Sequence, residues 1–137
     1  MLSKDVFSGT WKLNPAESKF DPNHQPSEAT MRFELQEEGY LMTAEGVSSG
    51  KPVRERPVKF MLDGKAYPVA EVPGVNYSST SPNPNTILSE ARKGDAIVGQ
   101  ASYVVSEDGS RLTATVRGMD SERRTFQTQL VWDRQAV

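Results

Sequence analysis

The side chains with the means to do chemistry are few and scattered along the chain. Arg54, Arg56 and Arg124 fall at the ends of segments whose side chains alternate apolar and polar. An unpaired arginine facing the interior of a barrel would suit an anionic or polar group on a ligand. The competing reading is that these arginines reach solvent or pair with Glu55 and Glu90. Tyr40, Tyr67, Tyr77, Tyr103, Glu45 and Glu55 are eligible for general acid–base work if burial shifts their pKa values, and nothing in their spacing ranks them. His24, the single histidine, sits in a proline-rich stretch and reads as a solvated loop residue. There is no cysteine, so a thiol nucleophile, a disulfide framework and a zinc–thiolate site are all excluded. The sequence carries no Gly-x-Ser-x-Gly elbow, phosphate-binding loop, carboxylate pair at helical spacing or metal-ligand cluster. We therefore assign no catalytic residue, metal or cofactor from the sequence. The candidate binding set is a cavity lining of Phe60, Tyr103, Phe126, Leu130 and Trp132, with Arg56 and Arg124 toward a barrel mouth. The five apolar residues serve equally well as a packed core.

Positioning those residues falls to strands. The dominant pattern has period two, which places alternate side chains on opposite faces of a strand. Residues 29–37 are the sharpest case. Their Glu, Ala, Met, Leu and Gln favour helix by propensity, yet Ala29, Met31, Phe33 and Leu35 alternate with Thr30, Arg32, Glu34 and Gln36, which predicts a strand. Further strands are expected over 7–13, 40–47, 53–62, 65–69, 86–92, 96–106, 111–118 and 123–133, about nine in all. The connectors Glu38-Gly39, Ser49-Gly50, Asp63-Gly64, Gly94-Asp95 and Asp108-Gly109 suit tight hairpins, so successive strands should be antiparallel neighbours. A meander of 8–10 strands without long helical interludes is best closed into a barrel, which removes exposed edges; a sandwich is the alternative. Pro57 marks a bulge or an edge position.

Two proline-rich stretches interrupt the meander. Residues 14–28 open with Asn14 as an N-cap, Pro15 at the first helical position and Glu17 at the capping-box position, which predicts one helical turn. Residues 70–85 read as a long loop, either a lid over the barrel or a surface excursion. The chain as a whole is 137 residues with 16 basic and 18 acidic side chains, a net charge of −2 and 36 % hydrophobic content, which fits one soluble domain spanning 1–137. That charge balance removes the basic field needed for nucleic acid or an anionic membrane, and no apolar run approaches a membrane-spanning helix. MLSKDVFSGTWKL runs directly into a strand pattern, so the chain as written is expected in the cytoplasm, or secreted or periplasmic if a leader has been trimmed.

Phe7, Gly9, Thr10, Trp11, Lys12 and Leu13 carry a family resemblance. The segment is similar to the Gly-x-Trp signature of lipocalins and to the opening strand of intracellular fatty-acid-binding proteins, both calycins. The resemblance implies that Gly9 and Trp11 plug the closed end of a barrel, with Arg134 from the last strand packed across the indole. GTWKLNPAESKF, DGKAYPV, VVSEDGSRLTATVRG and QLVWDR also resemble a group of bacterial lipocalin-like proteins without an assigned activity, which implies the fold and leaves function open. The Arg-x-Tyr pair that holds a carboxylate in fatty-acid-binding proteins falls on Leu130 and Trp132 here, so the resemblance does not extend to a fatty-acid anchor. The helix pair of that family is absent as well, and a haem-binding role would need an axial histidine outside a loop. What the resemblance implies is non-enzymatic binding of a small hydrophobic or amphipathic molecule inside the barrel. The alternatives are an isomerase- or cyclase-type enzyme using inward Tyr and Glu, and a sealed barrel acting through its surface, including as a homodimer.

Overall fold

The computed structural model describes residues 6–19, 26–37, 39–48, 51–54, 57–68, 73–119 and 125–135. Within these, the chain forms eleven β-strands and no helix. They are β1 Gly9–Leu13, β2 Pro26–Gln36, β3 Gly39–Ser48, β4 Lys51–Arg54, β5 Val58–Met61, β6 Tyr67–Pro68, β7 Val75–Asn83, β8 Thr86–Lys93, β9 Ala96–Val105, β10 Arg111–Met119 and β11 Thr125–Arg134. All pairings are antiparallel and join one sheet in the order β4-β3-β2-β1-β11-β10-β9-β8-β7-β6, with β5 also on β3. β1 pairs with both β2 and β11, so the two ends of the chain meet at its first strand.

The meander is as the period-two pattern predicts, and the strand count is corrected upward. The expected strand over 53–62 is two strands, β4 and β5, which pair with opposite halves of β3. Pro57 stands between them, where its missing N–H removes a rung from the ladder. The second correction concerns residues 70–85. Residues 70–72 lie outside the described part, but most of the rest is β7, paired along β8 from Val75 to Asn83. Asparagine and proline are depleted in strands, and pairing against β8 overrides their propensity. Pro82 is accommodated at a register shift between Thr80 and Asn83 near the hairpin end. Residues 15–17 form a turn and not a helix. Asn14 Oδ1 accepts the Glu17 N–H at 3.3 Å as a cap would, but Lys19 then bridges to Gln129 and Asn14 N–H donates to Val131, so β11 captures the segment before a second turn can form.

β2 decides the conflict between propensity and period in favour of period. Met31 and Phe33 are buried while Arg32 and Glu34 are exposed. The inward faces deliver an aromatic cluster to the interior: Phe33 stacks on Phe60 at 6.0 Å between centroids, Phe60 meets Tyr103 at 5.3 Å, and Phe7 lies 5.5 Å from both Phe33 and Tyr40. No ladder joins β4 or β5 to β6 or β7 among the described residues, so the barrel is not closed by hydrogen bonds around its full circumference. Contact across that seam runs through side chains, with Phe60 and Tyr77 6.1 Å apart, and through a 2.9 Å bond from Gly64 N–H to the Ser79 carbonyl.

Candidate functional site

The interior is packed unevenly, and the unevenness follows from side-chain size. Along β7–β10 the register aligns two inward-facing rows. Tyr77, Ala91, Gly99 and Gly118 form one, and Ser79, Ser89, Ala101 and Val116 form the next. Seven of these eight residues carry small or medium side chains. Beyond the aromatic cluster they leave an open inner cleft of about 210 Å³, lined by Tyr77, Ser89, Ala91, Gly99, Ala101, Val116 and Gly118. Val98, Glu90, Gln100 and Arg117 also border it, and the strand alternation turns the last three side chains toward the outer face. Among the described residues the cleft is therefore apolar, apart from hydroxyl groups.

Those hydroxyls converge. Ser79 and Ser89 face each other across the β7–β8 ladder, are 2 % and 5 % exposed, and share a 2.9 Å Oγ–Oγ hydrogen bond. Burial pushes the Tyr77 phenol above its ordinary pKa, and hydrogen bonding from Ser89 and Ser79 opposes part of that rise. The phenol is thus held neutral beside a neutral hydroxyl pair. Gly99 adds a backbone feature. It lies at a register shift between Ala91 and Arg92 that bulges β9 at Val98. A Cβ at Gly99 would meet nothing closer than 3.7 Å, and its φ is not in the left-handed region, so neither crowding nor backbone geometry demands glycine. A glycine in a strand interior weakens it, and marks a bulge, as here, or a close approach by another molecule or backbone.

The Trp11 indole is fully buried and donates from Nε1 to the Phe7 carbonyl at 3.0 Å. The Arg134 guanidinium carbon stands 4.2 Å from the centroid of the Trp11 ring. Its Nε donates to the Gly109 carbonyl at 2.7 Å, Nη1 to Ser8 at 2.9 Å, and Nη2 to Val6. Gly9 is required twice over, by a φ of +130° and because a Cβ would come within 2.9 Å of Arg134 Nη1.

Of the residues singled out from sequence, Phe60 and Trp132 are buried in the core, with Tyr103 and Leu130 packed against it, and none borders the cleft. Tyr40 is likewise buried among Phe7 and Phe33. Tyr67 is on the surface, bonded to Asp63, and Glu45 lies on the outer face opposite Thr30 and Arg54. Phe126 is placed on β11 opposite Gly118, its side chain outside the described part. Arg56, Arg124, Glu55 and His24 lie outside the described residues, as does the Arg54 side chain. Sequence reasoning passed over Ala91, Gly99, Ala101 and Gly118. Their signal was the run of small residues at period two on β9 and β10, which gains meaning only once the register aligns them across strands.

Two further depressions lie on the outer face. The larger, about 560 Å³, crosses four strands between the rows Ser78–Glu90–Gln100–Arg117 and Thr80–Leu88–Ser102–Thr115. The other, about 330 Å³, lies over β2–β4 beside Glu28, Thr30, Glu45, Val47 and Pro52. Both present solvated side chains.

No protein-family model matches the sequence, and no curated protein matches it. Solved structures do. A secretary abundant heat soluble (SAHS) protein from Ramazzottius varieornatus superimposes with a TM-score of 0.64 at 11 % identity, covering 98 % of each chain. The fluorescent protein UnaG gives 0.63 at 12 % identity, covering 94 % of this chain and 97 % of that one. Zebrafish ileal bile acid-binding protein, solved with cholic acid, gives 0.60 at 10 % identity over 96 % and 100 %. The fold is a calycin-like β-barrel. At these identities the likeness establishes architecture and not activity. Among the described residues no helix is long and apolar enough to cross a membrane.

Proposed function

We propose that this protein binds a small hydrophobic or amphipathic molecule, non-covalently, in the inner cleft of its barrel. The observation that carries the reading is the pair of small-residue rows on β7–β10, which leave the inner cleft open beside the aromatic cluster. Barrel diameter grows with strand number, and the ten-strand order here exceeds the eight at which side chains can just fill the interior; the aromatic half is filled and the small-residue half is not. A volume of about 210 Å³ lies below the usual range for a drug-sized ligand, so the molecule is compact or extends beyond the cleft. The bile acid-binding neighbour supports the class of ligand at the level of fold. A phenol held neutral by burial suits hydrogen bonding better than proton abstraction, which favours binding over acid–base catalysis. Gly9, Trp11 and Arg134 act, in this reading, as the closed-end plug of the calycin class.

Native mass spectrometry on gently purified protein tests it. The expected result is a stoichiometric small-molecule adduct, released on denaturation and lost in Ala101→Phe, whose ring would occupy the cleft. A bare polypeptide mass, with no uptake of an apolar dye, would refute the reading and leave a barrel that acts through its surface.

A further inference from the structure

The hydroxyl groups beside the cleft say what its ligand presents to them. Ser79 and Ser89 are more than nine-tenths buried on a face otherwise built of alanine, glycine, valine and aromatic residues. Two hydroxyls bring two protons and four lone pairs to the site, and their single mutual bond uses one of each. Tyr77 hydrogen-bonds to both serines, so the three protons of the trio serve one another, and lone pairs are what remain for whatever enters the cleft, which Ser89 and Tyr77 both line. Buried hydroxyl capacity of this kind is costly unless it is met by a partner of matching polarity.

The cleft is not built for a charge. A carboxylate drawn into an apolar site loses several kcal/mol of hydration unless a cation or a set of donors replaces it. Among the described residues, no lysine, arginine or histidine side chain belongs to the two inward rows.

Resting on the binding function proposed above, we propose that the ligand is a neutral molecule whose buried end carries a hydroxyl group, which donates to the lone pairs of Ser89 and Tyr77 with Ser79 behind them. The barrel takes uncharged alcohols and discriminates against carboxylates of the same carbon skeleton. The apolar remainder of the ligand lies along Ala91, Gly99, Ala101 and Val116.

Isothermal titration of the full chain at pH 7 with 1-octanol and with octanoate tests this, since the two probes share a skeleton and differ in the charge of the polar end. Octanol is expected to bind at least tenfold more tightly than octanoate. Ser89→Ala and Ser79→Ala, each a one-atom deletion, are expected to weaken octanol by about fivefold, the worth of one hydrogen bond, and to lower the melting temperature as well, because each leaves the other buried hydroxyl without its partner. Octanoate binding as tightly as octanol, or more so, would overturn the neutral-ligand inference while leaving the binding function intact, and would direct attention to Arg56 and Arg124. Octanol affinity unchanged in both serine variants would overturn the hydroxyl contact. Binding of neither probe, together with a bare polypeptide in native mass spectrometry, would remove the binding function and this inference with it.

Discussion

Arg134 shows how much one side chain can organise. It covers the Trp11 ring and donates to carbonyls at Val6, Ser8 and Gly109, so it ties the strand that opens the barrel, the segment before it and the β9–β10 turn into one unit. Trp11 beneath it is fully buried, and Trp11→Ala should cost about 3–5 kcal/mol in urea or guanidinium unfolding, as large-to-small core changes do. An unchanged midpoint would mean that the ring closes nothing. The turn under Arg134 is held by Asp108, which accepts hydrogen bonds from Ser106 Oγ at 2.7 Å, Ser110 Oγ at 2.7 Å and Ser110 N–H at 3.0 Å. The Ser106 hydroxyl, then Ser110, pull its pKa down to about 2 from 3.8. A depressed carboxylate stabilises the fold above its unfolded pKa, and that contribution fades as pH falls from about 4 through 2. The melting temperature of Asp108→Asn should therefore lie below that of the parent at pH 7, with the gap closing toward pH 2. A gap independent of pH would show that charge at Asp108 does not matter.

At the scale of elements, β7 and β9 matter most for the proposed binding. β7 brings Tyr77 and Ser79 to the interior although its serines, asparagines and single proline give it little strand propensity of its own. Pairing with β8 along most of its length, from Val75 to Asn83, is what holds it. β9 is bulged at Val98 and carries Gly99 on its inner face. Because a Cβ fits there at 3.7 Å or more from its neighbours, Gly99→Ala should stabilise the protein by about 0.5–1 kcal/mol, the usual cost of glycine in a strand, while reducing the cleft and its affinity for ligand. Thermal unfolding and titration on the same variant check both halves. A destabilised Gly99→Ala would mean that β9 needs glycine for its backbone, and the functional reading of that position would fall.

For the molecule as a whole, the decisive feature is the seam between β4–β5 and β6–β7. β1, β2, β10 and β11 are paired along both edges or along their full length, whereas β6 is two residues long and β4 ends the sheet order. Amide hydrogen exchange should be fastest in β4 and β6 and slowest in β1, β10 and the β1-facing half of β2, because unpaired edges open without disturbing the core. Comparable protection in β4 and β6 would show that the ladder closes in solution. The cleft lies on the β7–β10 wall, so ligand uptake should slow exchange in β7 and β8 before any other strands.

Much of this was legible in the residues themselves. The alternation of Met31 and Phe33 with Arg32 and Glu34 was enough to make β2 a strand against its helical propensity, because only a strand puts that spacing on one face. Gly9, Trp11 and Arg134 could be paired from the resemblance at the two ends of the chain. Three things were decided by tertiary structure alone. β7 exists because β8 lies beside it; local composition argued for a loop. β4 and β5 are separate because each pairs with a different half of β3 around Pro57. The cleft depends on cross-strand register, since Tyr77, Ala91, Gly99 and Gly118 come from four strands and are neighbours only where the ladder aligns them. Period two tells each side chain which face it takes, but the size of the space it shares is set by partners many residues away in the chain.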